Sequence, residues 1–172
     1  MRRPTNAPAG LLAVAVAVAA VLVHAAEPWP EPEWAAAAIC FQRAFEARGI
    51  GAAAAGEDCL AVLARPCRAA ADALGPLTGC LDAHADRFAA KASGAAGHLA
   101  PFLSPSERAQ LADAVETGRA RIAPACARRV APLEEEARPL ARASCRLGLA
   151  AALAHLVEFH PKRLISRPER NV

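Results

Sequence analysis

Tyrosine is absent from this chain, and aromatic residues make up only 4% of it. Strand-rich folds draw on aromatic and β-branched side chains, so the composition argues against an all-β protein. No apolar run reaches the roughly 20 residues that cross a bilayer; the run from Leu11 to Val23 covers 13. There is no C-x-x-C, the usual core of a dithiol oxidoreductase site. The nearest cysteines, Cys59 and Cys67, have seven residues between them, whereas zinc sites favour closely paired ligands. Gly-x-Ser-x-Gly, the P-loop and the dinucleotide fingerprint are also missing. No catalytic residue, cofactor site or metal ligand is assigned, and the expectation is a protein that is not an enzyme.

What is present is alanine. The chain holds 48 alanines in 172 residues, about half of its 55% hydrophobic content. Alanine is the best helix former but buries little area, at about 25 cal/mol per Å². One domain suits this length. A helical domain with a thin core is expected, and it needs a further stabiliser.

The N-terminus predicts export. Arg2 and Arg3 precede the Leu11–Val23 run, and small residues follow it at Ala25 and Ala26. This is the pattern of a secretory signal peptide, with cleavage expected after Ala25 and a periplasmic or secreted product. Pro4-Thr5-Asn6 after the arginine pair does not suit twin-arginine export, and no cysteine at the cleavage site suggests a lipoprotein. No stable membrane span is expected once the signal is removed. The formal charge of +3 belongs to the ends: residues 26–160 carry −2 and residues 161–172 carry +3. A clustered basic face, the footprint of nucleic-acid binding, is therefore not expected.

Along the chain, Pro28, Pro30 and Pro32 mark an extended, polyproline-like leader over 26–33. A helical domain over 34–160 and a basic tail over 161–172 follow. Trp34, Ala38, Phe41 and Phe45 share one helical face. Gly49 to Gly56 reads as a small-residue loop, and Glu57 to Arg65 as a short helix interrupted by Pro66. Gly75-Pro76 signals a turn before a helix over Thr78 to Ala92, with Leu81, Ala85, Phe88 and Ala92 as its stripe. Ser93, Gly94 and Gly97 loosen the segment after this helix. Ser104-Pro105-Ser106-Glu107 combines an N-cap, a proline at N1 and a capping-box glutamate. Pro124 is expected to kink the end of that helix. Glu134 to Glu136 and Pro139 mark a break. The last helix shows Cys145, Leu149, Ala152, Leu156 and Phe159 on one face, and Pro161 stops it. The fold class expected is all-α, a small disulfide-stapled array of four to six helices.

Six cysteines in an exported chain imply disulfides. Fifteen connectivities are possible, and the sequence does not choose among them. Position favours neighbours: Cys40 with Cys59, Cys67 with Cys80, and Cys126 with Cys145.

The cysteine frame, with Cys40 upstream of Cys59-Leu60, Cys67, Cys80, Cys126 and Cys145, resembles the lysozyme inhibitor LprI-like family of small exported bacterial domains. The resemblance covers residues 36–160 in outline. The family's polar signatures differ here: its Glu, Trp-Asp and Leu-Asn positions fall on His84, Phe88-Ala89 and Ala92-Ser93, of which only Phe88 is conservative. Its Ala-Gln, Trp and Arg-Asp positions fall on Ala114-Val115, Gly118 and Ile122-Ala123. The resemblance implies a binding protein that occludes a lysozyme or another cell-wall protein without chemistry. The alternative is a cell-envelope structural or interaction module with no lysozyme role.

Four features could carry chemistry. His84 lies one turn from Cys80. His155 and Glu158 are spaced as a helix surface pair. His160 sits in a last turn, where a charged imidazole would suit the helix dipole. Glu134, Glu135 and Glu136 form an acidic run that could contact a cationic partner; it is the one partner-contact candidate.

Overall fold

The computed structural model describes residues 31–48 and 51–165. The expected signal peptide (1–25), residues 26–30 of the expected leader and residues 166–172 of the expected basic tail lie outside the described residues. Those described form an all-α array with no strand. Four helices are long: α1 (Glu31–Arg48), α5 (Leu74–Leu99), α6 (Pro105–Val130) and α7 (Arg138–Phe159). Four are short: α2 (Ala52–Asp58), α3 (Leu60–Leu63), α4 (Arg65–Ala70) and α8 (Pro161–Ile165). A 3-10 turn, Ala100–Phe102, joins α5 to α6.

Helix α7 is the centre. It packs along α5, and α2, α6 and α8 also close on it. Every residue from Ala150 to Val157 is buried, so this stretch has no solvent face. The expected single stripe is too narrow for a surrounded helix: Ala152 and Leu156 are buried, but Phe159 is 48% exposed. Alanine is what permits this, because a helix surface without long side chains lets neighbours approach on several sides. By length and composition α7 could cross a membrane, but most of it is buried inside the fold. It is the core helix of this domain.

The punctuation residues act differently from their sequence expectation, for local reasons. Pro32 lies in the second position of α1, where the missing N–H has no helical partner to lose. The helix therefore starts inside the segment expected to be extended leader. Gly49 to Gly56 is not wholly a loop, because Ala52 to Gly56 belong to α2. Pro66 begins α4 instead of interrupting a longer helix, and Gly75-Pro76 fall in the first turn of α5. Helix α5 continues through Ser93, Gly94 and Gly97 to Leu99, and α6 continues past Pro124 to Val130. Residues 161–165 are not tail but α8, whose Leu164 is buried in the core. The described fold thus extends over residues 31–48 and 51–165.

The three disulfides are Cys40–Cys59, Cys67–Cys80 and Cys126–Cys145, with Cα separations of 5.8, 5.6 and 5.7 Å. These lie within the usual range. Each closes a short loop and contributes about 3 kcal/mol in the loop-entropy account. Three such bonds belong to an oxidising environment.

The capping box of α6 forms as its sequence predicts. The Glu107 amide donates to Ser104 Oγ at 3.3 Å, and the Ser104 amide donates to Glu107 Oε2 at 2.9 Å. Ser104→Ala should lower the Tm by about 3 °C in a circular dichroism melt. An unchanged Tm would show that the box adds nothing to the folded state.

Candidate functional site

The end of α6 and the start of α7 are joined by the Cys126–Cys145 disulfide. Opposite them, α2 crosses α7 at Gly56 and Gly148. A Cβ built on Gly56 would lie 2.6 Å from the Gly148 carbonyl oxygen, so only glycine permits this approach. Between these elements lies a cleft of about 290 Å³, lined by Leu60, Val130, Leu133 and Leu149 among others. Glu57 and Arg129 form an ion pair at its side. Small-molecule sites usually exceed about 300 Å³. At this volume the cleft stands at the small end of ligand sites and has room for one or two side chains of a partner.

Leu133, 40% exposed, stands at the start of the turn that connects α6 to α7. Several bonds hold the turn: Leu133 N–H donates to the Val130 carbonyl at 3.0 Å, Ala137 N–H to that of Glu134 at 3.0 Å, the Arg138 N–H to those of Glu134 and Glu135 at 3.2 and 3.3 Å, and Arg138 Nε to that of Leu133 at 2.7 Å. Glu134, Glu135 and Glu136 lie on this turn, all exposed. The acidic run therefore follows Leu133 of the apolar cleft directly in the chain, while none of its three glutamates lines the cleft itself. It also precedes the N-terminus of α7, where negative charge is favourable. Arg129 and Leu133 were not singled out by sequence, and Leu60 was read only as an apolar helix position beside Cys59. An apolar residue between Pro132 and Glu134, in a break, was the available signal.

The histidines fall elsewhere. His84 is half-buried beside the Cys67–Cys80 bond; burial, and then Arg87, hold its pKa below the ordinary value. The surface pair expected of His155 and Glu158 does not form. His155 is 1% exposed, enclosed by Phe41, Phe45, Phe159 and His160 with ring centroids 4.8–5.6 Å away. Neither of its ring nitrogens has a hydrogen-bond partner. Burial, and then His160, push its pKa down to about 4. Glu158 instead pairs with Lys91 Nζ at 3.3 Å. His160 is not a favoured cation either. Burial, and then Arg163, lower its pKa against the opposing pull of Glu46, and its Nε2 lies 3.2 Å from Gln42 Oε1.

No family model, curated protein or solved structure matches this chain.

Two further depressions carry charges that are already engaged. Along α5, a trough of about 390 Å³ is bordered by Lys91 and Glu158. The Lys91 ammonium there lies 4.8 Å from the Trp34 ring as well as against Glu158. Between α5, α6 and α7, a groove of about 280 Å³ contains Arg146. Arg146 donates to Asp82 and, at 2.9 Å, to Asp86. The first cleft differs in having an apolar lining and an exposed leucine at its mouth. Among the described residues the most exposed large hydrophobic is Phe102, at 84%. It precedes α6, whose 26 residues separate it from Leu133 by roughly 39 Å.

Proposed function

We propose that this chain is an exported helical binding protein, similar to LprI-type lysozyme inhibitors, that occludes a cationic cell-wall hydrolase without chemistry. The observation that carries this proposal is the ordered acidic turn, Glu134 to Glu136, set beside an apolar cleft with Leu133 at its mouth. An apolar anchor bordered by charge is the usual anatomy of a protein contact. The three disulfides and the N-terminal Arg2-Arg3 with its apolar run support a periplasmic or secreted location. The lysozyme partner comes from the cysteine-frame resemblance alone.

The test is titration of oxidised protein against several lysozymes, reading both binding and cell-wall hydrolysis. Dissociation constants at or below about 10 μM are expected. Glu134→Gln, Glu135→Gln and Glu136→Gln combined should weaken binding about ten-fold and flatten its salt dependence. Phe102→Ser, far from the cleft, should leave it unchanged. No inhibition and no binding at tens of micromolar would remove the proposal. Capture on peptidoglycan or lipid vesicles in its place would favour the envelope-module alternative.

A further inference from the structure

The three disulfides are not chemically equivalent. Cys67 on α4 is buried, and Cys80 on α5 is half-buried. Cys80 and His84 are four residues apart on α5, so both occupy one helix face. The two sulfurs and a His84 ring nitrogen all lie within 4.8 Å of one another. Among the described residues, no such group forms at Cys40–Cys59 or at Cys126–Cys145. Scanning the sequence for closely paired cysteines overlooks this arrangement, because its close pair is Cys80-x-x-x-His84 and its third donor comes from another helix.

We propose that reduction of the Cys67–Cys80 bond exposes a zinc site, with the two thiolates and the His84 imidazole as ligands. Sulfur and nitrogen donors suit Zn(II), and three protein ligands leave a fourth position for water. The chemistry balances with a dithiol as the reductant. The dithiol supplies two electrons and two protons and becomes a cyclic disulfide, while the Cys67–Cys80 bond breaks to give two thiols. Zinc binding then releases the two thiol protons to solvent. The metal would restore a cross-link between α4 and α5 at the same junction, so that the two helices are joined in either redox state.

The experiment is anaerobic reduction with limiting dithiol, isolation of the species lacking only the Cys67–Cys80 bond, and addition of Zn(II) alone. Alkylation followed by peptide mapping then reads each cysteine. Zinc should slow alkylation of Cys67 and Cys80 by about ten-fold or more, and His84→Gln should lose that protection. Cobalt(II) in place of zinc should give the absorption bands of a tetrahedral thiolate site, weakened in His84→Gln and absent when Cys67 and Cys80 are both serine. If the singly reduced protein loses helix, zinc must restore it in the wild type and not in His84→Gln. Equal protection in the two proteins, or zinc with no effect on either alkylation or helix content, would overturn the proposal.

Discussion

Gly56→Ala is expected to destabilise the fold by about 3 kcal/mol. The added Cβ would stand 2.6 Å from the Gly148 carbonyl oxygen and 2.7 Å from its carbon. These are backbone atoms of the central helix and cannot rotate away, so α2 would have to lift off α7. Gly148→Ala meets the Gly56 carbonyl oxygen at 3.0 Å and should cost somewhat less. The double substitution should be less than additive, because one separation of the helices relieves both clashes. The control is Gly94→Ala in α5, where a Cβ meets nothing within 4 Å. Removing glycine from a helix interior there should stabilise by about 0.5–1 kcal/mol. Urea unfolding of the oxidised proteins compares the four variants. If Gly56→Ala proved as harmless as Gly94→Ala, the crossing would not be a close one. Because Gly56 and Gly148 both line the apolar cleft, partner binding should weaken together with stability.

Acidification is expected to remove about 3 kcal/mol of stability between pH 6.5 and pH 4 through His155. The sign is set by where its proton binds. In the unfolded chain His155 has its ordinary pKa of 6.5, while in the fold burial and His160 push it down to about 4. The unfolded state therefore takes up the proton first. Stability is undiminished above pH 6.5 and falls as pH drops toward the folded value. The enclosing rings of Phe41, Phe45 and Phe159 offer no hydrogen-bond acceptor to an imidazolium, and the neighbouring His160 repels it. His155→Leu keeps the volume and removes the titration. Its stability at pH 7 should stay within about 1.5 kcal/mol of wild type, with most of the acid slope gone. A smaller slope should remain, because His84 and His160 are also held below their ordinary pKa. Identical acid slopes in the two proteins would show that His155 is not the responsible group.

The sequence makes some of this molecule legible and hides the rest for identifiable reasons. Local chemistry reads well. Ser104 and Glu107 declare the start of α6, and position along the chain favours the neighbour pairing of the cysteines without choosing it, which the structure then shows. Glycine and proline read poorly because each has two opposite uses. Pro66 and Pro76 stand at helix starts, where they are harmless, yet in sequence they resemble breaks. Gly56 looks like loop composition, but it is a contact whose cause is Gly148, 92 residues later in the chain. The histidines fail for a related reason. The spacing of His155 and Glu158 describes one helix in isolation, whereas α7 is enclosed on several sides and its His155 faces α1. Of the binding site, the acidic run was visible and its apolar neighbour was not, since Leu60, Leu133 and Leu149 come from three separate elements.

The pairing of cysteines with their neighbours has a consequence for how the chain reaches its final shape. The bridged residues are 19, 13 and 19 positions apart, and a chain is made from its N-terminus. Cys40–Cys59 and Cys67–Cys80 can close before residue 81 is reached. The element on which nearly everything packs, α7, begins only at Arg138. Until α7 arrives the chain can therefore be covalently organised but coreless, with Phe41, Leu63 and Phe88 waiting for a helix that does not yet exist. A chain ending before residue 138 would retain two correct bridges and have nothing to wrap around. Correct oxidation of the first four cysteines is thus no measure of whether this protein has folded.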